Sequence, residues 1–146
     1  MANLVEILTS DSQKNGVVDD CVGLIDAEVG DKGGLSGLAI KAGYKAVQSV
    51  KPGFVRQVVS DLLPDFAHAL DPLYQEAKGS GRGVREFMNA NAPRVADALL
   101  GITDEKAKRA RSALVKGTYE KLRGSAKKNV EAAVPRLATM VEKHAP

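Results

Sequence analysis

Apolar positions recur at helical spacing along nearly the whole chain. Val18, Cys21, Val22, Ile25 and Val29 fall at i, i+3, i+4, i+7 and i+11, one stripe of a helix that the pattern starts near Ser12 and ends at Gly30. Asp19, Asp20 and Asp26 occupy its other face. Beyond the loop Gly30-Asp-Lys-Gly-Gly34, the positions Leu35, Leu38, Ile40, Ala42, Ala46, Val47 and Val50 predict a second long helix that stops before Pro52. Phe54, Val55, Val58, Val59 and Leu62 predict a short helix, and Phe66, Leu70, Leu73 and Tyr74 another after Pro64. Further helices are predicted around Val84 to Ala90 and from Pro93 to Leu100, with a stop at Gly101 and a new start at Thr103-Asp104-Glu105, where Thr103 serves as N-cap. Runs from Asp104 to about Arg123 and from Ser125 to His144 complete the pattern, and no stretch alternates convincingly at period two. The expectation is an all-α fold, a single compact bundle of about six to nine helices, several started or broken by proline.

Length fits one domain, residues 1–146, because a chain of 146 residues can bury about 70% of its unfolded surface in one core. With 44% hydrophobic and 27% charged residues, neither wholesale disorder nor a fibrous repeat is supported. Gly37 and Gly43 each cost about 1 kcal/mol of helix propensity relative to Ala, so close helix packing is the expected compensation. The chain has 20 Ala and 14 Gly against three Phe, three Tyr and no Trp, which predicts a core of small residues and closely approaching helices. Residues 55–70 and 84–99 agree at Val, Arg, Pro, Ala, Ala and Leu with a constant offset, either an internal repeat or a chance recurrence of proline followed by amphipathic residues.

No transmembrane segment is present in the pattern, since the longest uncharged run of the glycine-rich region, 33–40, falls far short of the roughly 20 apolar residues needed to span a bilayer. The start lacks a basic n-region and carries Glu6 inside its apolar stretch, so no export signal is expected. Cys21 is the single cysteine, which fits a reducing cytoplasm.

Net charge +3 hides a division. Residues 1–77 hold six Lys/Arg and eleven Asp/Glu, net −5, whereas 78–146 hold fifteen and seven, net +8. The boundary falls at Lys78-Gly-Ser-Gly-Arg-Gly83, a predicted flexible loop that could also present amides to an anion. Three outcomes follow from such asymmetry: the halves pair within the fold, they drive head-to-tail homo-oligomerisation, or the basic half meets an anionic partner.

Catalytic chemistry is thinly represented. The titratable inventory suited to it is His68, His144 and Cys21. Asp61, Asp65 and His68 share a face if the helix survives Pro64, with a spacing used by some metal-ligand pairs, although a solvated acidic face is the simpler reading and no metal site is expected. Cys21, among Val18, Val22 and Ile25, reads as a small core hydrophobe. Neither glycine loop carries a phosphate-binding fingerprint, so no cofactor is implied.

The strongest signal is basic. Between Lys106 and Lys128 stand nine Lys/Arg and one acid, Glu120. At 100° per residue, Arg109, Lys116, Arg123 and Lys127 fall within about 40° of each other, opposite Ala107, Leu114, Thr118 and Leu122. A helix running through Gly117 and Gly124 would present that stripe to phosphates of DNA or RNA, to an anionic membrane surface, or to the acidic half. Only Tyr119 offers a stacking platform, which disfavours single-strand recognition, and Ala and Thr make weak membrane anchors.

Asp31-Lys-Gly-Gly-Leu-Ser-Gly37, Lys41-Ala-Gly-Tyr-Lys-Ala-Val47, Leu62-Leu-Pro-Asp-Phe66, Val95-Ala-Asp-Ala-Leu-Leu100 with Ile102-Thr-Asp104, and Leu122-Arg-Gly-Ser-Ala-Lys-Lys128 together resemble a family of small uncharacterised all-helical bacterial proteins, a domain of unknown function. The resemblance implies a bacterial cytosolic protein and supplies no catalytic residues. The expected function is a non-enzymatic binding or adaptor protein that contacts nucleic acid, a ribonucleoprotein or another anionic partner through Arg109, Lys116, Arg123 and Lys127. The alternatives are a helical carrier of an apolar small molecule and a self-associating structural protein.

Overall fold

In a computed structural model, residues 3–146 are described, with the backbone alone at 35 and 36. Met1, Ala2 and the predicted core position Leu35 therefore lie outside the described residues or side chains. Seven helices and no strand are found among them: α1 (Leu4–Leu8), α2 (Lys14–Asp31), α3 (Gly34–Gln48), α4 (Phe54–Ser80), α5 (Val84–Ala90), α6 (Ala92–Lys108) and α7 (Ala113–His144). The all-α expectation holds, but several boundaries move, each for a physical reason.

The periodicity does not predict α1. Asn3 caps it, its side chain accepting the Glu6 N–H at 2.8 Å, while Asn3 Nδ2 reaches back to Glu6 Oε1. The spacing Asn-Leu-Val-Glu is close to a capping box, except that Glu6 accepts from the side-chain amide of Asn3 and not from its backbone N–H. The Leu4 N–H donates to Asp71 at 2.8 Å, and Leu4 and Leu8 are fully buried against α4.

The two short helices expected around Pro64 are one, α4, which passes through both Pro64 and Pro72. Each interior proline loses an intrahelical hydrogen bond and costs about 3 kcal/mol. Against this, Val59, Leu63, Ala67, Leu70, Leu73, Tyr74 and Ala77 form one buried stripe across both prolines. Burying a Val or Leu side chain is worth about 1.5–3 kcal/mol, so the stripe outweighs the two breaks. Pro72 and His68, whose carbonyl loses its partner, are exposed, so water can satisfy that group.

The predicted loop 78–83 shrinks to its second half. α4 continues to Ser80 and stops at Gly81, whose φ of 77° is the left-handed conformation that terminates helices. The apparent repeat has no structural counterpart: its first copy lies inside α4, while the second is divided between α5 and α6 at Asn91.

Downstream, the expected stop at Gly101 does not occur. α6 runs on to Lys108, and Thr103 is an interior position whose hydroxyl bonds the Leu100 carbonyl. The break comes instead at 109–112, where Ser112 caps α7 by accepting the Val115 N–H at 3.3 Å. α7 then continues through Gly117, Gly124 and Pro135 for 32 residues. It is the common wall of the bundle, with α2, α3, α5 and α6 all packed along it.

Gly43 explains part of the small-residue pattern. A Cβ there would lie 3.0 Å from Thr118 Cγ2 and 3.1 Å from Leu122 Cδ1, so α3 meets α7 across a bare backbone. Gly37 is tighter still, with a Cβ 2.7 Å from the Lys32 carbonyl carbon, but here the close neighbour is the turn before α3 instead of a second helix. The deep core combines the buried Ala67, Ala77, Ala96, Ala138 and Ala145 with larger side chains, of which Leu4, Leu8, Val17, Val18, Met88, Val95, Val134 and Val141 are the largest fully buried. No described helix is long and apolar enough to cross a membrane.

Candidate functional site

The basic stripe is divided by the fold. Arg109 is the C-cap residue of α6 and does not share a helix with the other three. Lys116, Arg123 and Lys127 lie on α7, but two of them are occupied. Arg123 grips Asp104 with Nε at 2.8 Å and a second guanidinium nitrogen at 3.1 Å, and Lys127 Nζ lies 3.1 Å from Asp97. Asp97 and Asp104 are seven apart and so share one side of α6. The Tyr119 hydroxyl also donates to Asp104 and bonds Thr103. These hydrogen bonds, from Arg123 first and Tyr119 second, hold the Asp104 carboxyl below the usual carboxylate range. Arg109 and Lys116 are exposed and have no acidic partner within 4 Å among the described residues. Half the stripe thus joins α6 to α7.

Elsewhere the acidic and basic halves meet within the chain. Arg94 pairs with Glu76 at 2.6 Å, Lys106 with Asp65 at 3.2 Å, Arg136 with Asp31 at 2.6 Å and with Glu28, and Lys143 with Asp20 at 3.0 Å. Asp65 is thereby drawn to a lysine, Asp61 accepts from Gln57, and His68 is exposed. No group of three or more metal-ligating side chains is found among the described residues. Just past the loop 78–83, the candidate for presenting amides to an anion, Glu142 Oε2 accepts the Arg85 N–H at 2.9 Å, so a carboxylate of the chain already lies beside that stretch.

His144, unremarkable in the sequence, sits between Asp20 at 2.7 Å and Gln13 at 3.1 Å and fastens the end of α7 to the start of α2. Hydrogen bonds from His144 and then Lys143 lower the Asp20 pKa. A separation of more than 120 positions hides this contact from any local pattern.

Two adjoining hollows are almost wholly apolar. Beneath α3 lies a cavity of about 360 Å³ walled by Leu24, Ile25 and Val29 of α2, Ile40 of α3, Phe66 of α4, Leu99 and Leu100 of α6, and Leu122, Ala126, Val130, Ala133 and Leu137 of α7. A smaller cavity of about 150 Å³ adjoins it, sharing Leu24, Ile25, Phe66, Leu99 and Leu137 and reaching Cys21, Leu63 and Leu70. Polar side chains enter only the wall of the larger one, as Glu28, Lys32, Thr103 and Asn129. Glu28 is already bound by Lys32 and Arg136. Burial, and then the charge of Asp20, push the Cys21 thiol up to about 11, leaving it a neutral apolar wall group at physiological pH. Ala126 and Ala133 are the positions on α7 whose short side chains leave room. Such a lining can enclose hydrocarbon, but it offers neither a nucleophile–base pair nor a cluster of donors for an oxyanion.

No curated protein and no solved structure matches the chain. The family of unknown function DUF6918 matches over residues 4–145, and the chain belongs to that family.

Proposed function

We propose that the chain is a non-enzymatic binding protein of a reducing cytosol that encloses an apolar small molecule between α2, α3, α6 and α7. The adjoining cavities carry this reading. The larger one is within the roughly 300–1,000 Å³ of small-molecule sites, and its walls are hydrocarbon from five helices. Native mass spectrometry of the purified protein, together with titration of the uncharged fluorophore N-phenyl-1-naphthylamine, tests it. Wild type should carry or take up one apolar molecule, and Ala126→Phe, which fills the space, should weaken fluorophore uptake at least tenfold while remaining folded. A wild-type protein that carries nothing and takes up no fluorophore overturns the reading.

Contact with an anionic partner is the second reading, supported by the exposed, unpaired Arg109 and Lys116. Nucleic acid recruits the expected stripe less well, because Arg123 and Lys127 would have to leave Asp104 and Asp97 first. Binding of RNA and duplex DNA at about 50 and 200 mM salt, with Arg109 and Lys116 changed to Glu, measures what those two contribute through counterion release. Self-association through the acidic and basic halves has the least support, since five acids of the first half already meet cations of the second.

A further inference from the structure

A second basic surface exists on α7, on a different side from the expected stripe. Leu114, Lys121 and Lys128 fall within about 40° of one another at 100° per residue, and all three are exposed. On α3, Leu38, Lys41 and Lys45 fall within about 60° and are likewise exposed. The two helices touch through Gly43 against Thr118 and Leu122, while Ile40 shares the cavity wall with Leu122 and Ala126. α3 therefore runs against α7 in the antiparallel sense; Gly43 and Ile40 lie on the side of α3 opposite its stripe, whereas Thr118 and Leu122 lie about 40° and 80° from Leu114, so the α7 stripe flanks the seat of α3. The two stripes thus bound one curved, exposed surface, the first on the outer side of α3 and the second on α7 beside it.

Two properties set this surface apart. Leu38 at 64% and Leu114 at 47% exposure are the exposed large hydrophobics among the described residues, and both stand on it. Its four lysines have no acidic partner within 4 Å among the described residues, α3 contains no acid, and on α7 Glu120 is turned about 80° and Glu131 about 60° from the nearest lysine of the stripe. Nucleic acid contact would use the lysines and leave the leucines without a role. An anionic bilayer uses both, with apolar anchors entering the acyl boundary and lysines resting at the phosphates.

We propose that the outer face of the α3–α7 pair docks on an anionic phospholipid surface, Leu38 and Leu114 entering it and Lys41, Lys45, Lys121 and Lys128 meeting headgroup phosphates. The docking goes beyond the cavity reading and stands whether or not the cavity holds a ligand. It also places α3, one wall of the cavity, directly against the membrane.

Co-sedimentation of the full chain with vesicles tests it. Equimolar phosphatidylglycerol and phosphatidylcholine is compared with phosphatidylcholine alone at about 50 and 200 mM salt, and with single-stranded RNA at equal phosphate. Wild type should bind the anionic vesicles and lose affinity with salt. Lys121→Gln with Lys128→Gln should weaken binding about fivefold per lysine. Leu38→Ser with Leu114→Ser, which touches no buried position, should weaken vesicle binding at least tenfold and leave any RNA binding unchanged. Absence of binding to anionic vesicles, or vesicle binding indifferent to the leucine pair, overturns the proposal; RNA binding lost with the lysines alone would assign the face to nucleic acid instead.

Discussion

Alanine in place of two glycines separates close packing from mere tolerance. Both substitutions gain about 0.8–1 kcal/mol of helix propensity in a helix interior. At Gly124 in α7, a Cβ meets nothing within 4 Å, so Gly124→Ala should keep that gain and stabilise the protein by about 0.5–1 kcal/mol. At Gly37 in α3, the Cβ would stand 2.7 Å from the Lys32 carbonyl carbon and 2.8 Å from its oxygen. Carbon–carbon contacts settle at about 3.5–4.0 Å, so the Lys32 backbone must move by most of an ångström. Overpacking of this kind costs about 1–3 kcal/mol, which exceeds the propensity gain over most of that range. Gly37→Ala should therefore be less stable than wild type, and about 1–3 kcal/mol less stable than Gly124→Ala. Urea unfolding followed by circular dichroism reads this as opposite midpoint shifts at unchanged slope, or as Tm shifts of about 2–4 °C per kcal/mol for a chain of this size. If Gly37→Ala matches Gly124→Ala in stability, the turn into α3 is not as close as described, and the physical account of its glycine is wrong.

Three further outcomes follow from the site geometry. The Asp20 carboxyl is held below its ordinary 3.8 by His144 and Lys143, so the stability it contributes is complete above that value and is lost as pH falls through its folded pKa. Asp20→Asn should flatten the acid limb of a stability-versus-pH curve, and an unchanged limb would show that the α2–α7 clasp does not titrate. The Cys21 thiol, raised to about 11 and half-buried, should react with iodoacetamide at pH 8 at least tenfold slower in the native protein than in urea; equal rates would contradict its place on the cavity wall. Glu142→Ala frees the Arg85 N–H at the start of α5 and should cost about 0.5–2 kcal/mol in chemical denaturation, whereas a neutral result would mean that water replaces the carboxylate without loss.

Helix type is readable from the sequence wherever a long stripe exists. The α2 pattern of Val18, Cys21, Val22 and Ile25 falls within two residues of the observed boundaries, and Val84 to Ala90 coincides with α5. Boundaries fail where a local breaker competes with burial at a distance. Pro64 reads as a stop because its missing N–H is a local fact, whereas the stripe from Val59 to Ala77 that holds α4 together becomes decisive only once α1, α2 and α6 pack on it. Gly101 misleads in the same way, and Ser112, the residue that does start α7, is a weak cap signal among basic neighbours. The cation stripe is a periodicity without a partner list: spacing aligns Lys116, Arg123 and Lys127, but nothing local reveals Asp97 and Asp104 on the neighbouring helix. Cavity and docking face are both products of tertiary placement, since Leu38 and Leu114 look like core positions until their helices are assembled.

The arrangement around α7 also governs how the chain can reach this state. α3, α5 and α6 find their main partner, and α2 one of its two, on a helix that starts only at Ala113. During synthesis the earlier helices emerge before that wall exists, and the pairings they can complete without it centre on α4, against which α1, α2 and α6 pack. Contacts as distant as Asp20 with Lys143 close over most of the chain, which raises the contact order above that of a simple up-and-down bundle and slows folding accordingly. Nascent chains stopped before residue 113 should thus remain protease-sensitive in α3 and α5, and chaperones that shield apolar stripes would have their longest opportunity in that interval.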